Sequence, residues 1–260
     1  MTRLAWDSVS DRVIQMGIDR GVLYVDGFDG VAWNGLSSVA ENPSGGVPQP
    51  YYIDGEKFAQ DSSAEDFVAT ISAITYPDEF DTCEGVAEYN AGMFLTGQPK
   101  RSFGFSYRTL IADPVSTDAA YKIHVVYNAM ISPTTRTNVS ITDTPNPLAF
   151  SWAIETVPVQ APGFKSSSHI VIDSRTIKGL AFSAIEDILY GSDTDAPRLP
   201  SISEISNTID SFADLQVTDY GDGTATISGD GVNVVDANTD IINWPSVVEL
   251  DANTYSVSSL

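Results

Sequence analysis

The sequence predicts a mainly β fold, and three observations support this prediction. First, segments rich in β-branched and aromatic residues recur along the chain, at 21–26, 67–75, 121–131, 150–159 and 169–173. Second, residues 121–130 alternate with a period of two, so Lys122 and every second residue after it should share one face of a strand. Third, only two short segments have helical spacing. The prediction is therefore a mainly β fold with one or two short helices.

The two helical segments come late in the chain. Residues 179–190 place apolar side chains on one broad face, and Gly191 follows as a stop signal. Residues 201–212 begin with Ser201 and Glu204 in the spacing of a capping box. The acidic, proline-bearing linker between them predicts a domain boundary. We therefore expect one domain over 1–200, and a short helix with a small β-rich segment over 201–260.

A long interruption separates the first two predicted strands, at about 28–64. It is rich in glycine and proline, and it also carries apolar side chains that favour burial: Trp33, Leu36, Tyr51, Tyr52 and Phe58. Loops of this length are uncommon in compact domains and are usually functional or disordered. We predict that this segment becomes ordered by packing, either on its own domain or on a neighbouring subunit.

Composition and charge exclude several classes of protein. The chain has 260 residues, of which 42% are hydrophobic, enough for a substantial core. Its 35 acidic and 13 basic side chains give a formal net charge of -22, too acidic for the usual nucleic-acid-binding surface. A single cysteine, Cys83, excludes a disulfide-stapled scaffold. With no signal-peptide pattern and no long apolar run, we expect a soluble protein in a reducing compartment, not bound to a membrane.

The motifs of common enzymes are not found in the sequence. His124 and His169, the two histidines, lie in separate predicted strands and far apart along the chain, so they are interpreted as structural. Together with one cysteine they make a weak case for zinc, and no phosphate-binding loop or nucleophile elbow is found. The sequence thus predicts no enzyme, no cofactor and no metal. A β-rich, acidic chain with a long aromatic loop points instead to assembly.

Several blocks of sequence, in order, carry a resemblance to a known family. They are GVAWNGLSSVAENPSGG, PYYIDGEKF, ATISAITYPDEFDTCEG, FGFSYRT, YKIHVVYNAM, FSWAIETVPV, SHIVIDSR, ILYGSDTDAPRLPSISEI, DYGDGTATISG and DANTYSVSSL. In these blocks the chain resembles the major tail proteins, or tail tube subunits, of long non-contractile-tailed phages, especially actinobacteriophages. The resemblance spans nearly the whole chain.

This resemblance implies an architecture and a set of partners. Members of the family fold as a β-sandwich with one or two short flanking helices, and six copies form a ring by joining their sheets into one continuous β-barrel. Rings stack into a hollow tube for DNA ejection, in company with a tape-measure protein, a tail terminator and tail-tip proteins. The loop at 28–64 would reach the adjacent subunit, so deleting 36–55 should leave a folded subunit that no longer polymerises. The protein would reside in the virion, and in the host cytoplasm during assembly.

A conduit for DNA should repel its cargo, which suggests residues that line the lumen. Asp66, Glu155 and Lys122 lie on the mixed faces of predicted strands and are the candidates. The two carboxylates would repel phosphate groups, whereas a lumen-facing lysine would need an offsetting charge nearby.

An alternative function is a surface carbohydrate-binding or adhesive β-sandwich module. Trp33, Trp152, Tyr51 and Tyr52 could stack on sugar rings, although aromatic residues of this kind are more often buried. Polymerisation into tubes would favour the first function, and a monomer that binds glycans would favour the second.

Overall fold

The structure is a computed structural model. It describes residues 14–46, 48–62, 65–112, 120–138, 140, 148–177 and 179–212, and the backbone of six further strands between 216 and 259. The mainly β prediction is confirmed, because a large antiparallel sheet is accompanied by only a few short helices. None of the described helices is both long enough and apolar enough to cross a membrane.

The first of two compact units runs to Arg175 and includes Asp187–Leu199. Its described strands are, in chain order, β1 (Ile14–Val25), β2 (Val31–Ala32), β3 (Leu36–Glu41), β4 (Ser44–Gly45), β5 (Pro48–Ile53), β6 (Glu56–Ser62), β7 (Glu65–Asp66), β8 (Val68–Ala73), β9 (Ala87–Asn90), β10 (Met93–Leu95), β11 (Phe103–Ala112), β12 (Ala120–Ile131), β13 (Phe150–Thr156) and β14 (His169–Asp173). A 3-10 helix (Asp78–Phe80) leads into the short helix α1 (Asp81–Glu84).

Eight of these strands form the main sheet. Its order is β2-β1-β11-β12-β13-β8-β3, and β14 also pairs with β12. The remaining strands form three separate pairs, β4 with β7, β5 with β6, and β9 with β10. The sheet curls, since the Tyr107 hydroxyl on β11 donates a hydrogen bond of 2.7 Å to Glu41 on the distant strand β3. We call the face inside this curl the inner face and the opposite face the outer face.

Apolar side chains of most of these strands, with α1 and the 3-10 helix, fill the inner face. The buried cluster there comprises Leu23, Val25, Trp33, Ala69, Ile71, Ala73, Phe80, Cys83, Phe103, Phe105, Tyr107, Val126, Ala129, Ile131, Trp152 and Ile154. Phe80 lies at its centre, with ring centroids 4.6 Å from Trp33 and 5.1 Å from Trp152. The indole of Trp33 donates to the carbonyl of Thr75, and that of Trp152 donates to the carboxylate of Glu84, so both buried N–H groups are satisfied.

A β-bulge in β12 changes the predicted pattern of faces. Phe105 pairs with Val126, but Phe103 pairs with Ala129, so one extra residue is accommodated around Asn128, whose φ is 49°. Side chains at even positions therefore point to the inner face before the bulge and to the outer face after it. The prediction that Lys122 and Met130 share one face of an unbroken strand was wrong for this reason.

Both predicted helices are present. Helix α2 spans Gly179–Tyr190, and its last turn is followed by Gly191 with a φ of 85°, a conformation that glycine adopts without strain. Helix α3 spans Ile202–Ser211, and the Ser201 hydroxyl accepts a hydrogen bond from the Glu204 amide at 3.2 Å, as the capping box predicts.

The second compact unit comprises Thr176–Glu186 and the chain from Pro200 onward. Its described strands are β15 (Gln216–Asp219), β16 (Thr224–Ser228), β17 (Val232–Val235), β18 (Ile241–Ile242), β19 (Val248–Asp251) and β20 (Ser256–Ser259). They form two three-stranded antiparallel sheets, β15-β16-β19 and β18-β17-β20. The two units divide after Arg175, within α2 after Glu186, and between Leu199 and Pro200, so the last turn of α2 belongs to the first unit.

Candidate functional site

The β5–β6 hairpin presents uncovered aromatic side chains. Its strands are joined at Asp54 and Gly55, which both have positive φ, and they pair only with each other among the described strands. Its large apolar side chains are all more than half exposed, Phe58 reaching 74%, and comprise Tyr51, Tyr52, Ile53 and Phe58. A two-stranded hairpin is marginally stable at best in water, because it has no layer to pack against.

The β9–β10 hairpin repeats this design at a second place. Its strands also pair only with each other among the described strands, and its exposed apolar side chains are Tyr89, Met93, Phe94 and Leu95. Large apolar side chains that are exposed together on one element are typical of interaction sites. The two hairpins are therefore two candidate contact surfaces.

The main sheet also ends in open edges. Strand β3 pairs with β8 on one side and with no other described strand, and β2 covers β1 only at Val22 and Leu23. Among the described strands, none therefore covers this edge of the first half of β1, where Ile14 and Met16 are exposed. Open strand edges carry free backbone donors and acceptors, which makes them templates for pairing with another chain.

The outer face of β12, β13, β8 and β3 is built mostly of small side chains. Partner positions form three rows across the strands, Ser38–Ser72–Ser151, Ala40–Thr70–Ala153 and Val68–Glu155–Met130. Glu155 is the single charged residue in these rows, and its carboxylate accepts a hydrogen bond from Ser132 at 3.0 Å. The result is a partly exposed surface with one negative charge and no lysine or arginine in its rows.

The structure separates the three predicted lumen residues. Glu155 lies on the outer face, whereas Lys122 precedes the bulge and lies on the inner side, paired across the sheet with Asp173. Asp66 lies in the short β4–β7 pair, opposite Ser44, and is not part of the main sheet. The assignment of any of them to a lumen stays a prediction, but Lys122 and Glu155 do not share a face.

The predicted inter-subunit loop divides into two parts. Trp33 is only 3% exposed, and Leu36 packs against the same core cluster, so the loop assignment was wrong for these two residues. Strand β3, part of the main sheet, also lies within 28–64, and deleting 36–55 would remove it. Tyr51, Tyr52 and Phe58 do lie on an exposed hairpin. Trp152, one of the four aromatic residues named for the sugar-binding alternative, is as buried as Trp33.

A cluster that sequence reasoning missed lies at one end of the curl. His124 on β12 and His169 on β14 have ring nitrogens Nδ1 and Nε2 separated by 3.1 Å, and Glu41 Oε1 lies 3.7 Å from His124 Nδ1. The other nitrogen of His124, Nε2, lies 3.0 Å from the hydroxyl of Thr109. Tyr107 stacks on His124, with ring centroids 4.5 Å apart. Two histidines 45 residues apart thus meet because β12 pairs with β14.

Burial decides the charge of this cluster. The pKa of His124 is lowered to about 4, mainly by removal from water and in part by the neighbouring His169, while Glu41 acts in the opposite direction. Burial likewise lowers the pKa of His169. Both imidazoles are therefore neutral at pH 7, and the short distance between Glu41 and His124 is not an ion pair there.

A pH dependence of stability follows from these shifts. The unfolded chain binds a proton at His124 below its ordinary pKa of 6.5, whereas the folded chain does so only near pH 4. The free energy of unfolding should fall as the pH drops from about 6.5 to 4. Replacing His124 with glutamine should remove up to about 1.4 kcal/mol per pH unit of this slope.

Urea denaturation across that pH range, in buffer that contains a chelator, measures the slope. Equal slopes in the parent and in His124→Gln would refute the assignment of this pH dependence to His124. Glu41, His169, Lys122 and Tyr107 surround the imidazole and are unchanged in this comparison.

The single cysteine is shielded from solvent, and we expect it to react slowly with thiol reagents. Cys83 is fully buried, and burial raises the pKa of its thiol to about 12. An introduced cysteine can therefore be labelled without background from Cys83.

Comparisons with known proteins add little to this picture. No protein-family model and no curated protein matches the chain. Among solved structures it is similar to a chain in the structure of an extracellular contractile injection system, a PVC sheath–tube complex in the extended state. The identity is 11% and the TM-score 0.36, over 59% of this chain and 88% of that chain.

Proposed function

We propose that this chain is the self-assembling subunit of a phage tail tube, with stacked hexameric rings that form the conduit for DNA ejection. The role is structural and not catalytic. The observation that carries the proposal is the pair of hairpins, β5–β6 and β9–β10, whose apolar side chains stand exposed outside a core that is complete without them. Contact with further copies of the chain covers these side chains and supplies the layer each hairpin lacks.

The open edges of the main sheet suit ring formation. The free edge of β3 and the uncovered first half of β1 are different surfaces, so a contact between them is head-to-tail. Such contacts close into a ring when the rotation between copies permits it, and a closed ring of sheets has no open edge. Stacking through the hairpins, again head-to-tail, does not close and yields a filament.

The outer face is the surface that suits the lumen. Its rows of serine, threonine and alanine place no lysine or arginine opposite passing phosphate groups, and Glu155 repels them. DNA would pass without specific binding. Tape-measure, tail-terminator and tail-tip proteins are the further partners that a tube of defined length requires, and the assembled protein belongs to the virion after assembly in the host cytoplasm.

Electron microscopy of the purified chain in negative stain tests the proposal. We expect rings or hollow tubes that lengthen with protein concentration. A chain that stays monomeric at high concentration and binds glycans would favour the adhesive module instead.

A labelling experiment tests the position of the outer face. In tubes of Ser151→Cys, a small maleimide should react, whereas a bulky polyethylene-glycol maleimide should be excluded, because Ser151 would face the lumen. When Ser151→Cys is combined with a deletion of 49–61, which should block assembly, both reagents should react with the unassembled chain. Equal reaction of both reagents with intact tubes would place this face on the outside.

A further inference from the structure

The structure points to a transition-metal site that the sequence did not predict. We propose that Glu41, His124 and His169 bind a single Zn²⁺ ion, which ties β3 to β12 and β14 and holds the curl of the main sheet closed. One ligand atom from each of the three residues lies within 4.8 Å of the other two. The site is independent of the proposed tube function.

The spacing of the atoms fits one tetrahedral ion. Two nitrogens bound to the same zinc at the usual bond length are about 3.3 Å apart. The observed separation of His124 Nδ1 and His169 Nε2 is 3.1 Å, and Glu41 Oε1 lies 3.7 Å from His124 Nδ1. Small side-chain shifts bring all three atoms to bonding distance. The Glu41 side chain is 41% exposed, so a water molecule from the solvent side can occupy the fourth coordination position of the ion.

Neighbouring side chains fix the orientation of the three residues, as hydrogen-bonding neighbours do for the ligands of known metal sites. The Tyr107 hydroxyl donates to Glu41 Oε1 at 2.7 Å and fixes the carboxylate. Thr109 Oγ1 lies 3.0 Å from His124 Nε2, so the ring is held from behind while Nδ1 faces His169. Phe67 packs on His169 with ring centroids 4.4 Å apart. Partners of this kind orient imidazoles and carboxylates toward an ion.

The donor set selects the class of metal. Two imidazoles and one carboxylate suit Zn²⁺ and its first-row neighbours, whereas Mg²⁺ and Ca²⁺ prefer oxygen ligands alone. The same arrangement of atoms also fits a simple hydrogen bond between the two imidazoles, without a metal ion. That alternative predicts no metal uptake.

The site connects the two walls of the curled sheet. Glu41 lies at the end of the edge strand β3, while β12 and β14 belong to the opposite wall. An ion held by all three strands therefore stabilises the folded state by mass action, since the unfolded chain does not bring the ligands together.

Titration of the full, untagged chain after chelator treatment tests the proposal. We expect one Zn²⁺ per chain by calorimetry, a rise in melting temperature with Zn²⁺ but not with Mg²⁺, and visible absorption of the Co²⁺ form typical of tetrahedral coordination. Glu41→Gln and His169→Gln should each weaken Zn²⁺ binding by about 100-fold or more, and Tyr107→Phe by about 10- to 100-fold.

Glu155→Gln is the matched control, because it removes an exposed carboxylate from the same sheet and should leave Zn²⁺ binding unchanged. Near-ultraviolet circular dichroism of each variant without metal establishes that it is folded, and Glu41→Gln is the variant least able to disturb the core. Absence of uptake by the parent, or equal uptake by the parent and the Glu41→Gln variant, would overturn the proposal.

Discussion

Replacing Phe58 with serine should weaken tube assembly strongly while leaving the subunit folded. Phe58 is the most exposed large apolar residue of the β5–β6 hairpin, so its removal costs the isolated subunit little. In a tube it would be buried against another copy, and burying a phenylalanine contributes about 1.5–3 kcal/mol. The critical concentration for assembly should therefore rise by about 10- to 150-fold for each interface that buries Phe58. Sedimentation over a concentration series measures it.

Two controls make this result specific. Phe58→Leu keeps an apolar side chain at the same position and should still form tubes. Deleting 49–61 removes the hairpin between the paired residues Pro48 and Ser62 without touching β3, and should give a folded subunit that does not polymerise. Normal tubes from Phe58→Ser and from the deletion would show that this hairpin has no part in assembly.

Replacing Phe80 with alanine should cause the largest loss of stability among the substitutions proposed for this chain. Its side chain is 0% exposed and contacts Trp33, Phe103 and Trp152, three aromatic rings contributed by different parts of the sheet. Truncating a buried phenylalanine costs about 3–5 kcal/mol, because the surrounding rings collapse only partly into the cavity. Urea denaturation followed by tryptophan fluorescence reports directly on this cluster.

Phe164 provides the matched comparison for this substitution. It is 87% exposed, so the same change to alanine should alter the free energy of unfolding by no more than about 0.5 kcal/mol. Similar losses from Phe80→Ala and Phe164→Ala would contradict the position of the aromatic core.

Local patterns predicted five of the eight strands of the main sheet and both longer helices. The alternation in 121–130 and the Ser201 cap depend on residues close together in sequence. The structure retains the cap, and it retains the alternation as far as the bulge at Asn128. Strand β11 was missed, although Phe103, Phe105, Tyr107, Thr109 and Ile111 alternate with a period of two; its central place in the sheet reflects pairing that local composition does not encode.

The candidate sites were harder to predict, for two physical reasons. A bulge of one residue at Asn128 reverses the faces of β12, and nothing in the surrounding sequence marks it except an asparagine that tolerates positive φ. The histidine cluster depends on the pairing of β12 with β14 and on the curl that brings β3 near, both of which are long-range features. The aromatic residues of 48–62 were noted in the sequence, but they were placed in a long loop, and the hairpin that carries them was not predicted.

The most direct test of the central claim is a three-dimensional reconstruction, by cryo-electron microscopy, of whatever assembly the purified chain forms. We predict six copies per ring around a hollow axis, the β5–β6 and β9–β10 hairpins buried between copies, and the outer face with Glu155 lining the channel. A monodisperse monomer, or an assembly in which both hairpins remain exposed to solvent, would contradict this prediction.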